Sequence, residues 1–257
     1  MKDQKTIGIL GGMGPAATVD FYRRITEATA ATRDQDHLHI IINSYPQVPD
    51  RTAFLLGCGA DPTPDLVAAA HMLADAGADL LIMVCNTAHA LLPAIVEAVQ
   101  IPVVDWISEA ALGLVTILPA VKRLGLLATT GTLHSELYQN AFARYGVEII
   151  TPDPGVQMQI MEIIYGPEGV KARNAQACTT TQILQQVVEY FSMAQAGALL
   201  LACTELSLFF TAHCFDLSIP VIDTAQLVAE RLVLLAGGQL RHPWAASSGD
   251  KFVTCTR

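Results

Sequence analysis

The sequence predicts an α/β fold built from two similar doubly wound halves, each around a parallel sheet. Three observations carry that prediction. Short β-rich apolar runs alternate with longer helical patterns. Those runs are apolar throughout, as in strands covered on both faces, rather than alternating as in half-exposed ones. The later part of the chain also repeats the earlier part. Ile7-Gly8-Ile9-Leu10 is echoed by Leu124-Gly125-Leu126-Leu127, 117 positions on. Ala76-Gly77-Ala78-Asp79-Leu80-Leu81-Ile82-Met83-Val84-Cys85 is echoed, two residues shorter, by Ala196-Gly197-Ala198-Leu199-Leu200-Leu201-Ala202-Cys203, and the cysteines stand 118 positions apart. Ile101-Pro102-Val103-Val104-Asp105 returns as Ile219-Pro220-Val221-Ile222-Asp223, again 118 positions on. Matches in one order at nearly one offset mark two copies of one unit.

Taken in order, the first copy has strands near 6–10, 38–43, 79–84 and 101–104, and the second near 123–128, 147–150, 198–202 and 219–222. Helical patterns fit between them, at Ala16–Ala31, Pro64–Ala76 and Thr179–Ala196. The expected division is a first domain over 1–105 and a second over 106–223, related by a pseudo-twofold axis with a cleft between them. A helix near 106–118 crosses from one copy to the other. A final helix within 224–240 is expected to pack back on the first, and the tail over 241–257 has no clear periodicity.

Composition narrows the class. A chain of 257 residues, 52% apolar and 15% charged, can bury a large core. No uninterrupted apolar run reaches the ~18 residues of a membrane span. The opening run breaks at Gly11-Gly12-Met13-Gly14, too short for a signal segment, so the expected location is the cytoplasm, away from membranes. A net charge of −9 argues against nucleic acid as a partner. The six cysteines show no CxxC spacing and read as reduced thiols.

Two of those cysteines stand out. A cysteine ending a buried strand is ordinarily a small apolar residue. Cys85 and Cys203, however, end equivalent strands of the two copies, where open parallel sheets bind ligands. Each is followed by small polar residues where a helix begins, Asn86-Thr87-Ala88-His89 in one copy and Thr204-Glu205-Leu206 in the other. Two thiols aimed at one cleft from opposite sides suit inversion of a stereocentre, which needs a base on one face and an acid on the other. Cys58, Cys178, Cys214 and Cys255 lack repeat partners.

Four stretches in order resemble the aspartate racemase branch of the aspartate/glutamate racemase superfamily: Ile7-Gly8-Ile9-Leu10-Gly11-Gly12-Met13-Gly14-Pro15-Ala16-Ala17-Thr18 with Phe21-Tyr22 following, Pro49-Asp50-Arg51-Thr52, Cys85-Asn86-Thr87-Ala88-His89, and Ala202-Cys203-Thr204-Glu205-Leu206. The resemblance runs from about residue 5 to residue 235. It implies a two-domain α/β isomerase that uses paired catalytic cysteines, needs no pyridoxal phosphate, metal or other cofactor, acts on a small dicarboxylic amino acid and is often a homodimer. It also implies roles residue by residue. Arg51 binds a substrate carboxylate bidentately. Asn86 and Thr87, with Thr204 on the other side, hold the α-carboxylate. Thr129 and Thr132 line the cleft, and Met13 makes an apolar contact from the glycine turn. Lys171, which follows Ile164-Tyr165, joins Arg51 on the side-chain carboxylate. The family often continues lysine, small residue, glycine, whereas this chain has Lys171-Ala172-Arg173, so Arg173 is an alternative. Glu205 either tunes Cys203 or is a helix-start carboxylate of structural effect. His89, one turn beyond Cys85, either tunes that thiol or is a satisfied buried histidine.

Rival readings leave marks that can be checked. Gly12-Met13-Gly14-Pro15-Ala16-Ala17 fits the dinucleotide fingerprint G-x-G-x-x-A, but the second strand ends His39-Ile40-Ile41-Ile42-Asn43-Ser44, without the acid that would hold a ribose. A two-lobed amino-acid-binding protein needs no reactive thiols. Zinc at Cys85 and His89 lacks further ligands at suitable spacing. Glutamate or hydantoin racemases and related isomerases would use the same scaffold.

Overall fold

The computed structural model describes residues 4–172, 177–213, 215 and 217–242, without the side chains of 177–180. Arg173, the side chain of Cys178, Cys214, Cys255 and the tail over 243–257 lie outside the described residues.

The chain runs β1 (Ile7–Gly11), α1 (Pro15–Ala28), β2 (Ile40–Ser44), α2 (Arg51–Leu55), α3 (Thr63–Asp75), β3 (Leu80–Met83), α4 (Leu92–Ala98), β4 (Val103–Val104) and α5 (Trp106–Ile117). It continues β5 (Arg123–Ala128), α6 (Thr130–His134), α7 (Leu137–Ala143), β6 (Glu148–Ile150), α8 (Pro154–Tyr165), α9 (Ala177–Met193), β7 (Ala198–Ala202), α10 (Thr204–Ala212), β8 (Val221–Asp223) and α11 (Thr224–Leu235). Two four-stranded parallel sheets result, ordered β2-β1-β3-β4 and β6-β5-β7-β8. The repeated segments occupy equivalent strands, β1 with β5 and β3 with β7.

The elements fall where the sequence predicts them, with shifts at their ends that have local causes. Pro102 has no N–H to give a ladder, and β4 is confined to Val103–Val104. The first helix stops at Ala28, because Thr29 turns out to bridge Leu240. The last helix stops at Leu235, and Gly237 takes up the left-handed conformation with φ 80°.

Three apolar clusters hold the layers. One covers a face of the first sheet with α3, through Leu10, Leu81, Met83, Leu66 and Leu73. Another covers a face of the second sheet with α8, α9 and α10, through Leu127, Leu199, Ile160, Leu184 and Phe209. The third is shared: Ile7 and Ile9 of β1, Leu124 and Leu126 of β5, and buried side chains of α1, α5, α7 and α11 form one core. Within it Phe21 lies 4.9 Å from Trp106, and α11 packs on both α1 and α5. Because one core serves both sheets, the carboxyl ends of their strands are held in fixed relation.

Each sheet has its topological switch point between its two central strands, where successive crossovers leave in opposite directions and ligands bind. In the first sheet that point carries the glycine turn after β1 and Cys85 after β3. In the second it carries Thr129–Thr132 after β5 and Cys203 after β7. Among the described residues, no helix is long and apolar enough to cross a membrane.

Candidate active site

The glycine turn comes first because it sets the floor. Gly12 has φ 94°, and a Cβ there would lie 2.4–2.5 Å from backbone atoms of Tyr45. A side chain is therefore excluded by the loop after β2, which gives the glycine a packing reason of its own. Gly14 caps α1 with Pro15 at the first helical position, and Thr18 Oγ1 accepts from the Gly12 N–H at 2.9 Å. The dinucleotide pattern is thus accounted for by close packing.

The loop after β2 ends in Asp50, whose Oδ1 accepts from the Ala53 N–H at 2.8 Å and caps α2. That cap orders Arg51 and Thr52. Arg51 is buried, with Nη1 donating to the carbonyls of Val48 and Pro49 at 3.1 and 2.9 Å and Nη2 to that of Met13 at 3.4 Å. Its Nε finds no partner among the described residues, nor does the buried Thr52 Oγ1. Burial opposes the Arg51 charge, but attraction to Cys85 and Asp50 holds its proton more tightly than usual.

Cys85 and Cys203 are 6% and 5% exposed and unpaired with each other. Their surroundings differ. After Cys85, Thr87 shares hydrogen bonds with Thr129 at 2.8 Å and Thr132 at 3.0 Å, and the last two lie 3.1 Å apart. This hydroxyl ring joins the first half to the second. Gly131 sits inside it: a Cβ there would stand 2.9 Å from both Thr52 Cα and Thr87 Cγ2. Asn86 receives a hydrogen bond at Oδ1 from the hydroxyl of Tyr138 on α7, and its Nδ2 is buried without a partner among the described residues.

Cys203 faces a carboxylate instead. Its Sγ donates to Glu205 Oε2 at 3.1 Å, and Thr204 Oγ1 donates to the same oxygen at 3.2 Å. Lys171 Nζ lies 2.7 Å from Glu205 Oε1. Burial and the Glu205 charge push the Cys203 thiol well above its usual range, against the pull of Lys171. Glu205 therefore touches Cys203 directly, and Lys171 is drawn to Glu205 before any ligand arrives.

Both thiols act on the same neighbours. Burial works against the Lys171 charge, yet attraction to Glu205, Cys203 and Cys85 keeps its pKa raised. Tyr165, at the end of α8, is pushed up by burial and by Asp50, Cys203 and Cys85. Its hydroxyl donates to Asp50 Oδ2 at 3.0 Å, and Lys171 lies 5.3 Å from its ring centroid. Lys171 and Tyr165 thus feel both cysteines.

Beside them opens a cavity of ≈ 250 Å³ lined by Gly12, Met13, Gly14, Arg51, Lys171 and Glu205, among others. Drug-sized ligands occupy sites of about 300–1,000 Å³, so this one suits a molecule of few heavy atoms. Met13 supplies apolar wall opposite Glu205 and Lys171, which come from the second half.

His89 is a structural histidine. Its Nε2 accepts from the Trp106 N–H at 3.2 Å, so Nδ1 carries the proton and donates to the Cys85 carbonyl at 2.8 Å. Burial lowers its pKa. With both nitrogens engaged it cannot also ligate a metal, and the described residues contain no group of three or more metal-ligating side chains.

Sequence reasoning names most of the residues around the thiols but gives no part to Thr52, Tyr138 or Tyr165. Thr52 stands in the quoted Pro49-Asp50-Arg51-Thr52 stretch. The tyrosines reach the site from α7 and α8, and only tertiary contact reveals them.

The chain as a whole is similar to known proteins. The family model for Asp/Glu/hydantoin racemase matches residues 10–232. A broad-specificity amino-acid racemase of Bacillus subtilis is 28% identical over 88% of this chain and 96% of its own length. A glutamate racemase of Pseudomonas syringae is 29% identical over 77% of each chain. Among solved structures, an aspartate racemase from Picrophilus torridus superposes with a TM-score of 0.79 and 28% identity over 95% of this chain and 99% of that one. The family model spans most of the length and the architecture superposes: the chain belongs to the Asp/Glu/hydantoin racemase family.

Proposed function

We propose that this protein interconverts L- and D-aspartate without a cofactor, by proton exchange through Cys85 and Cys203. The observation that carries the reading is the pair of buried thiols at equivalent strand ends of two like sheets that share one core.

Inversion needs two proton-transfer groups on opposite faces of Cα. Cys203, held as a thiol by burial and Glu205, starts as the donor. When Cys85 takes the α-proton, the Cα–H electron pair stays on carbon and spreads into the α-carboxylate. The Cys203 S–H bond then breaks as the new Cα–H bond forms on the other face. The forward step leaves Cys85 as a thiol and Cys203 as a thiolate, which is the protonation state from which the reverse direction starts.

The cations decide the substrate class. Arg51 and Lys171 border the cavity and suit a side-chain carboxylate, which would compete with Glu205 for Lys171. Asn86, Thr87 and Thr204 serve the α-carboxylate, with the free Nδ2 of Asn86 as the clearest donor. Thr129 and Thr132 hold Thr87 in place, and Met13 packs against the carbon skeleton. The reading includes a homodimer, which sedimentation checks.

The test is incubation with L-aspartate in D₂O under reducing conditions, followed by NMR and chiral chromatography. Deuterium at Cα of both enantiomers is expected, with either Cys85→Ser or Cys203→Ser abolishing racemisation. Faster turnover of L-glutamate would move the substrate assignment. No exchange with either amino acid would overturn the reading.

A further inference from the structure

Asn86 and Tyr138 come from different halves, Asn86 directly after Cys85 and Tyr138 from α7. Tyr138 is fully buried, with its ring stacked on Phe142 at 6.2 Å. Its hydroxyl donates to Asn86 Oδ1, so the amide is held with Oδ1 toward α7 and Nδ2 away from it. That Nδ2 is buried and has no partner among the described residues. A buried donor left unpaired is costly, so its retention beside a thiol points to an acceptor supplied by ligand. The opposite amide rotamer would turn an acceptor toward the same space and repel a carboxylate. Burial also pushes the Tyr138 phenol up, which keeps it a proton donor at working pH.

We infer that Tyr138 is a positioning residue of the active site: its hydroxyl fixes the Asn86 amide across the two halves so that Nδ2 is presented to the substrate's α-carboxylate. The inference rests on the proposed substrate reading. It deepens that reading by making the second half responsible for a binding group on the first. Tyr138 does not line the cavity and acts through Asn86. In the resting structure Cys203 has its own acceptor in Glu205, while the unpaired donors Asn86 Nδ2 and Arg51 Nε lie on the Cys85 side.

The experiment is a double-mutant cycle of Tyr138→Phe, Asn86→Ala and the double variant, read by calorimetric aspartate binding and by the KM and kcat of racemisation. Tyr138→Phe removes one oxygen and keeps the core volume, and thermal melting of each variant checks folding. The expected result is a Kd and KM raised about tenfold by Tyr138→Phe, with kcat little changed. In the Asn86→Ala background the same substitution should have no further effect. An unchanged Kd in Tyr138→Phe, or an equal loss in both backgrounds, overturns the inference. Wild-type protein that binds aspartate without turning it over, with the cycle still non-additive, leaves the inference standing and overturns the racemase reading. Wild-type protein that does not bind aspartate overturns both.

Discussion

His89 and Ser207 do the same work in the two halves, each four residues beyond its cysteine. His89 ties the Cys85 carbonyl to the Trp106 N–H at the start of α5. Ser207 takes the Cys203 carbonyl with its N–H at 3.2 Å and donates its hydroxyl to Asp223 Oδ1 at 2.7 Å, at the start of α11. Each cysteine turn is thereby fastened to the helix that follows the next strand. The chemistry differs but the joint is the same.

A pH dependence follows from His89. Its folded pKa lies below the ordinary 6.5 because burial penalises the charge. Below that value the unfolded chain binds a proton that the folded one refuses, so stability present above pH 6.5 is lost as pH falls toward the folded pKa. Urea unfolding at about pH 8 and about pH 5 should show a smaller loss in His89→Gln than in wild type. His89→Ala should cost about 1–3 kcal/mol for each of the two polar groups it orphans. An identical pH slope in both proteins would remove His89 from this role.

Glu205 predicts an asymmetry between the two directions of catalysis. Removing its charge lowers the Cys203 pKa, since burial and that charge hold the thiol up and a freed Lys171 pulls it down. In Glu205→Gln, kcat/KM for the enantiomer deprotonated by Cys203 should rise at lower pH than in wild type. For the other enantiomer, which needs Cys203 as acid, the alkaline decline should also begin at lower pH. Rates that fall for both enantiomers without any movement of the pH limbs would reduce Glu205 to scaffolding.

Gly131 controls how closely the halves meet at the site. A methyl group there would press on Thr52 Cα, which is backbone and cannot rotate away, and on the Thr87 side chain. Gly131→Ala should displace α2 or the Cys85 turn by a few tenths of an ångström or more. Because reacting groups tolerate little misplacement, kcat/KM should fall roughly ten- to a hundredfold, with a lowered Tm. Wild-type kinetics in this variant would mean that the contact is not part of the working site.

Why the sequence was legible to this depth can be read from particular residues. The strands and their parallel class were visible because segments such as Leu80–Met83 and Ala198–Ala202 are apolar throughout and recur at one offset. Cys85 and Cys203 were visible as the repeat's polar-flanked strand ends. Tyr138 and Tyr165 were not, because an aromatic residue at helical spacing looks like core, and Tyr138 is core as well as joint. The ion pair of Lys171 with Glu205 was also hidden, since the resemblance turns Lys171 toward substrate and leaves Glu205 either tuning Cys203 or starting a helix. Pairing across 34 positions is a fact of folding rather than of pattern.

The most consequential strut lies behind the site. Arg24 of α1 is buried, with Nε 2.6 Å from Asp20 Oδ2 and Nη2 2.9 Å from Asp223 Oδ2. Its Nη2 also donates to Thr211 Oγ1 at 2.8 Å, and Asp223 in turn accepts from Ser207. One guanidinium thus connects α1 with α10, the helix that begins beside Cys203, and with the start of α11. Taking away one partner of a buried pair strands the other, at a cost of about 3–5 kcal/mol, while replacing the whole set by apolar groups is far less damaging. Arg24→Met should therefore lower stability by that amount in urea unfolding. Arg24→Met combined with Asp20→Leu and Asp223→Asn should recover much of it. Recovery of stability without recovery of kcat would show that the network positions Cys203's helix. Recovery of both would make it a stabilising contact and nothing more.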